Sequence, residues 1–205
     1  MMGFKSMRQI LLARHGETDW NARRWVQGST DTSLNESGVR QAERLSEKLL
    51  ARGGRIERVF TSEMRRARET AEIVAGRLNI PLIARAGLQE LNLGDWEGRT
   101  WRQIERGWPE RFAEWSRDKR SVRPPHGETY QELLERFVGA VRRIVSETRG
   151  DALIVTHSAC MLAFQAELNR TPLETMLRDY AAPNAEAIPV SADKILERWG
   201  EYPEK

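Results

Sequence analysis

Two of the three histidines in this chain directly follow short apolar runs: His15 follows Ile10-Leu11-Leu12-Ala13-Arg14, and His157 follows Leu153-Ile154-Val155-Thr156. Each run has the length and β-branched content of a buried strand. In open α/β sheets, ligands bind beyond the carboxyl ends of the strands. A third run, Arg58-Val59-Phe60-Thr61, ends just before Ser62 and the basic pair Arg65-Arg66. This reading brings two imidazoles and the guanidiniums of Arg14 and Arg66 to one edge of a sheet. So much positive charge in one place is costly unless an anion occupies it. Guanidinium pairs with phosphate oxygens in bidentate fashion and neutralises a phosphoryl group during transfer. An imidazole whose one nitrogen is held by a backbone carbonyl keeps the other free as a nucleophile. Transfer to His15 would divide the hydrolysis of a phosphate ester into two easier steps. The departing alcohol needs a proton, so a carboxylic acid is expected beside the site.

Other chemistries fit less well. His15-Gly16-Glu17 could pass for metal ligands, but Arg14 and Arg66 would repel a divalent cation, so neither a metal nor another cofactor is expected. A cysteine phosphatase needs an Arg six residues after its nucleophile. Position 166 is Ala, so Cys160 is read as packing. Outside enzymes, the main alternative is a non-catalytic phosphate-binding protein, which would keep the fold and lose the nucleophile or the acid.

The elements that must position these residues alternate along the chain. Strands are expected at Gln9 to Ala13, Arg58 to Thr61, Pro81 to Ala84, Asp151 to Thr156 and Ala187 to Val190. Helices are expected from Gly38 to Arg52, Glu63 to Leu78 with Ser62 as N-cap, the capping box Thr129-Glu132 to about Glu147, and Ala159 to Asn169. The alternation predicts an α/β fold: a three-layer α/β/α sandwich with a mostly parallel sheet, in one domain spanning 1–205. The stretch at about 99–125, rich in Trp, Arg and Pro, breaks the alternation and reads as a small helical insertion over the active site. Trp101, Trp108 and Trp115 recur every seven residues there. Their spacing suits packing onto the sheet, or an apolar lid that selects a substrate with an apolar or aromatic part. Trp20, Trp25 and Trp96 fall in motif loops, where they are expected to line the mouth of the site.

Several of these segments together resemble the histidine phosphatase superfamily, also called phosphoglycerate mutase-like. Arg14-His15-Gly16-Glu17 is similar to its RHGE signature, and Asn21 follows at the spacing of its phosphate-binding Asn. Gln27-Gly28, Asp31, Leu34, Gly38, Gln41 and Ala42 resemble its QGxxDxxLxxxGxxQA segment. Thr61-Ser62-Glu63-Met64-Arg65-Arg66-Ala67 resembles SSDLxRA, which implies Arg66 rather than Arg65 as the phosphate-binding arginine. Leu88 to Gly98 resembles LxExxxGxWEG and implies Glu90 as the proton donor. Val155-Thr156-His157-Ser158 resembles the motif of the second catalytic histidine, with Ser158 where Gly is usual. The resemblance thus implies His15, Glu90, His157, Arg14 and Arg66 as catalytic, and Asn21, Gln27, Gly28 and Ser158 as phosphate- or substrate-binding. His126, just before Gly127-Glu128-Thr129, is expected at the rim, in reach of substrate. The family includes mutases as well as phosphatases. The short chain and Gln27-Gly28 favour the phosphatase branch, whereas the basic run Arg117 to Arg123 keeps a phosphoglycerate mutase open as the alternative.

The bulk composition agrees with a small-molecule enzyme. The chain has 205 residues, 40% hydrophobic and 31% charged, with a net charge of +3. This is an ordinary globular balance, with enough chain to bury a core. Of its 33 basic residues only five are Lys. The basic run lacks interleaved aromatics, so no nucleic-acid partner is expected. No apolar run is long enough to span a bilayer, and the single Cys permits no internal disulfide. The expectation is a cytoplasmic enzyme acting on a small phosphorylated substrate, with no membrane partner and with a homodimer possible.

Overall fold

The apolar runs that flank the two histidines pair side by side in a five-stranded sheet. The computed structural model describes residues 8–53 and 56–203. The strands are β1 (Gln9–Arg14), β2 (Ile56–Thr61), β3 (Leu82–Ala84), β4 (Asp151–Thr156) and β5 (Ala187–Ser191), in the order β3-β2-β4-β1-β5. All neighbours are parallel except β5, which runs antiparallel to β1 at the edge. Arg14 pairs with Thr156 and Thr61 with Val155, so β1, β2 and β4 end level with one another. The next residues, His15, Ser62 and His157, therefore stand together at this edge of the sheet.

The helices are α1 (Asp19–Ala22), α2 (Glu36–Ala51), α3 (Arg65–Leu78), α4 (Trp101–Gly107), α5 (Pro109–Arg117), α6 (Tyr130–Glu147), α7 (Ser158–Asn169), α8 (Met176–Tyr180) and α9 (Ala192–Trp199). Alternate strand residues face opposite layers. Leu11, Ala13, Val59, Leu153 and Val155 pack with α2 and α3 on one side. Ile10, Leu12, Phe60 and Ile154 pack with α6, α7 and α9 on the other. This is the expected three-layer sandwich.

Local chemistry sets the boundaries. α2 begins at Glu36, before Gly38, because the Asn35 side chain accepts the Gly38 N–H at 2.8 Å. The expectation that Ser62 caps α3 is wrong: the N-cap is Met64, whose side chain makes no capping bond. Ser62 is still tied to the sheet, its N–H donating to the Val155 carbonyl at 3.0 Å, so the helix cannot start there. The insertion forms α4 and α5, opened by a Thr100-Gln103 capping box and by Pro109 at the first turn.

Candidate active site

The apolar β1 run delivers His15 to the floor of a cleft of about 640 Å³. Its imidazole is 2% exposed. Nδ1 lies 2.7 Å from the Gly16 carbonyl, which can only accept, so Nδ1 carries the proton and Nε2 keeps its lone pair. The Gly16 N–H donates to Thr70 Oγ1 of α3 at 2.9 Å, and a Cβ on Gly16 would meet the Gly38 carbonyl at 2.5 Å. The turn holding the imidazole is therefore fixed by α2 and α3 together. Burial, then Arg66 and Arg14, holds the His15 pKa well below the usual histidine range, and the Gly16 carbonyl opposes this weakly. The ring is neutral at physiological pH, as a nucleophile must be.

His157 stands behind it, fully buried, with ring centroids 5.3 Å apart. Its Nε2 is 2.8 Å from Ser62 Oγ, and its buried Nδ1 has no partner among the described residues. Burial, then Arg66, His15, Arg136 and Arg14, depresses its pKa as well. His157 is not among the cleft-lining residues, whereas Arg14, Asn21, Gln27, Gly28, Arg66, Glu90 and Ser158 all are.

Arg66, from the first turn of α3, is wholly buried. Its guanidinium donates to the Thr30 and Gly28 carbonyls, both at 2.8 Å. Its Nε and that of Arg14 are buried without partners among the described residues. Burial lowers both pKa values, Glu90 opposes this, and a guanidinium stays charged regardless. Gly28 adopts φ +53°, and a Cβ there would sit 2.1 Å from Glu97 Oε1. Glu97 fastens the same loop by accepting the N–H groups of Ser29 and Thr30 at 2.7 and 2.9 Å. Asn21 Oδ1 accepts the Thr18 N–H at 3.1 Å, and Gln27 Oε1 accepts the hydroxyls of Thr18 and Thr32 at 3.0 and 2.7 Å. These bonds occupy the amide oxygens of two cleft-lining side chains.

Among the described residues, Glu90 is the only carboxylate lining the cleft. Its oxygens accept the N–H groups of Leu91 at 2.9 Å and of Ala159, in the first turn of α7, at 3.3 Å. Glu17 and Glu97 are committed elsewhere, Glu17 to Asn35 and Glu97 to the 28–30 loop. Arg136 of α6 forks onto Glu128 at 2.7 and 2.8 Å and donates to the carbonyls of Gly87, Gln89 and Glu90 at 3.1, 2.6 and 2.9 Å. Cys160 is buried and its Sγ donates to the Gln89 carbonyl. Burial raises its pKa, so it remains a thiol and packs as expected.

The family model described as histidine phosphatase superfamily (branch 1) matches residues 10–194. The chain belongs to the histidine phosphatase superfamily. Phosphoglycerate mutase-like protein 4 of Arabidopsis thaliana is 35% identical over 152 residues, covering 73% of this chain and 66% of that protein. The uncharacterized phosphatase PhoE of Bacillus subtilis is 32% identical over 164 residues, 80% of this chain and 78% of that one. Among solved structures, a mycobacterial glucosyl-3-phosphoglycerate phosphatase complexed with VO3 superposes with TM-score 0.80 at 28% identity, covering 90% and 91% of the two chains.

In this histidine phosphatase the insertion forms the outer wall of the cleft. Trp115 is buried against Trp96 (5.3 Å, edge-on) and stacked on Trp101 (5.5 Å, 19°). Trp101, Phe112 and Trp115 line the cleft, and Trp108 instead lies under Arg99. The repeat thus divides: Trp101 and Trp115 line the cleft, and Trp108 packs against the core. Of the loop tryptophans expected at the mouth, only Trp25 lines it. Trp96 is fully buried beneath Trp115, and Trp20 packs edge-on to Trp25. His126 also departs from expectation: it is exposed, is absent from the lining and lies 3.1 Å from Asp95. Reading the sequence missed Asn184, whose Nδ2 donates to the His15 carbonyl at 2.9 Å, and the apolar lining from Met176 and Leu177 of α8. No helix among the described residues is long and apolar enough to cross a membrane.

Proposed function

We propose that this chain hydrolyses phosphomonoesters of small metabolites through a phosphohistidine at His15. The observation that carries the reading is the set of buried nitrogens without a partner among the described residues, Arg14 Nε, Arg66 Nε and His157 Nδ1, near a neutral imidazole whose Nε2 is free. Buried donors without acceptors are costly, and phosphoryl oxygens would satisfy them. His15 Nε2 attacks phosphorus, the P–O ester bond breaks, and Glu90 gives its proton to the departing alkoxide. Arg14, Arg66 and His157 hold the phosphoryl oxygens, assisted by the N-terminus of α7 beside Ser158. The amide groups of Asn21 and Gln27 and the Gly28 turn complete the cradle. Water then attacks phosphorus on phospho-His15 and gives its proton to Glu90. The P–N bond breaks, releasing inorganic phosphate and restoring His15.

Charge is neutralised by the guanidiniums of Arg14 and Arg66, so the reaction as proposed uses no metal. The phosphatase names among the relatives and structural neighbours support hydrolysis. The buried, unreactive thiol is consistent with a cytoplasmic setting. Rapid quench with labelled phosphate ester in excess chelator tests the proposal. A base-stable, acid-labile phosphoenzyme is expected, and His15→Ala should lose both label and turnover. A His15→Ala enzyme with full activity would overturn the assignment, and loss of activity on chelation, restored by a divalent ion, would overturn metal independence.

A further inference from the structure

The cleft is much larger than a phosphoryl group, and its outer half differs chemically from its floor. Its volume of about 640 Å³ falls in the range of sites that enclose a whole organic ligand. Above the His15 floor the lining becomes apolar, with Trp25, Trp101, Phe112, Trp115, Met176 and Leu177. Two of the large hydrophobic side chains left exposed on the described surface lie here: Trp101, 45% exposed, and Leu177, 66% exposed. They belong to different elements, α4 and α8, yet line one cavity. Leaving both in water forfeits stabilisation that docking an apolar group would recover.

The charges of this outer half narrow the choice of ligand. Lys119 is half-buried over the Trp115 ring, 4.9 Å from its centroid, and among the described residues the only acceptor for its ammonium is the Ser116 carbonyl at 3.5 Å. Arg24 also lines the cleft; its backbone N–H donates to the Asn21 carbonyl at 3.0 Å, and its side chain makes no hydrogen bond or ion pair with the described residues. Glu90 is the one acid among the described lining residues, and it faces Arg14 and Arg66 at the floor. Aromatic walls can attract organic cations, but Lys119 and Arg24 would repel them.

We propose that the substrate's alcohol portion is a flat aromatic or otherwise apolar body, neutral or anionic, that docks on Trp101 and Leu177 while the phosphoryl group sits on His15. This rests on the phosphomonoesterase reading and names the substrate class of that site. Three probes separate the possibilities: ethyl phosphate, 2-phenylethyl phosphate and phosphocholine. All are esters of primary alcohols, so the bond being broken is closely matched and the distal group is the main variable.

The expected result is a kcat/KM for 2-phenylethyl phosphate about tenfold or more above that of ethyl phosphate, in line with what one buried apolar group contributes to specificity. Phosphocholine should be the poorest. Trp101→Ala should reduce the phenylethyl-to-ethyl ratio about tenfold. Leu177→Ser, at a more exposed position and so less able to disturb folding, should reduce it severalfold. Equal turnover of the ethyl and phenylethyl esters with a normal His15 phosphoenzyme would overturn the substrate class and leave the hydrolase reading intact. Phosphocholine as the best of the three would overturn it too, in favour of an aromatic cage for cations. Failure to turn over any ester or to form the phosphoenzyme would overturn both readings.

Discussion

Ser62 has a single hydroxyl proton, and its neighbours determine where that proton goes. The Met64 N–H donates to Oγ at 3.3 Å, which occupies one lone pair. His157 Nε2 lies 2.8 Å away on another side. If Ser62 donates to Nε2, the neutral ring must carry its own proton on Nδ1, the buried nitrogen without a partner. Nδ1–H is then ready to donate to a phosphoryl oxygen, and Ser62 acts as a positioning residue that selects the tautomer. Ser62→Ala should lower kcat about 10- to 100-fold, the worth of one hydrogen bond to a charged group. It should also shift the His157 nitrogen resonances toward the other tautomer, a change that a merely structural serine would not cause. Unchanged nitrogen shifts would refute the role. His15 and His157 could be placed from sequence because each ends a run of apolar residues that can only be a strand. The role of Ser62 could not, because Ser before a helical pattern reads first as a cap, and only the bond from its N–H to Val155 shows that the chain has not yet left the sheet.

At the scale of elements, Arg136 links α6 to the loop that carries Glu90. Its fork spans the Glu128 carboxylate and the loop carbonyls of Gly87, Gln89 and Glu90, a geometry that lysine cannot reproduce. Arg136→Lys should therefore free Glu90 to wander while leaving His15 in place. The burst-phase rate with an alkyl phosphate, which needs the proton, should fall about 10- to 100-fold, the scale of a misplaced general acid. An aryl phosphate with an acidic leaving group should be far less affected. Equal slowing of both would show a general loss of structure rather than displaced acid. The expected strands and long helices match the structure because their apolar periods are unbroken, as in Leu133, Phe137, Val141 and Ile144 of α6. The segment from 171 to 186 has no such period. It forms short turns around Leu173 and α8, so its contributions of Leu177 to the wall and Asn184 to the floor could not be read in advance. Trp96 was misplaced for a related reason: a tryptophan in a loop reads as accessible, and only the docking of α5 buries it under Trp115.

Across the whole molecule, the level ends of β1, β2 and β4 let three layers converge on one charged floor, and the fold bears a cost for it. His15 and His157 are both buried, and both are held neutral by burial and by the nearby guanidiniums. In the unfolded chain each would titrate near the usual value of about 6.5. Below that value the unfolded state takes up protons that the folded state refuses, so folding stability must fall as the pH drops. Above about 6.5 neither ring is protonated in either state, and the contribution vanishes. The window thus opens at the unfolded value and extends downward to the depressed folded values. One such ring contributes about 1.4 kcal/mol for each pH unit within it. Urea unfolding at about pH 7.5 and about pH 5.5 should show a larger loss for the natural chain than for His15→Ala, by about 1.4 kcal/mol. Groups common to both chains cancel in that difference, which isolates His15. Equal losses would mean that His15 is protonated in the folded state, and an imidazolium has no lone pair with which to attack phosphorus.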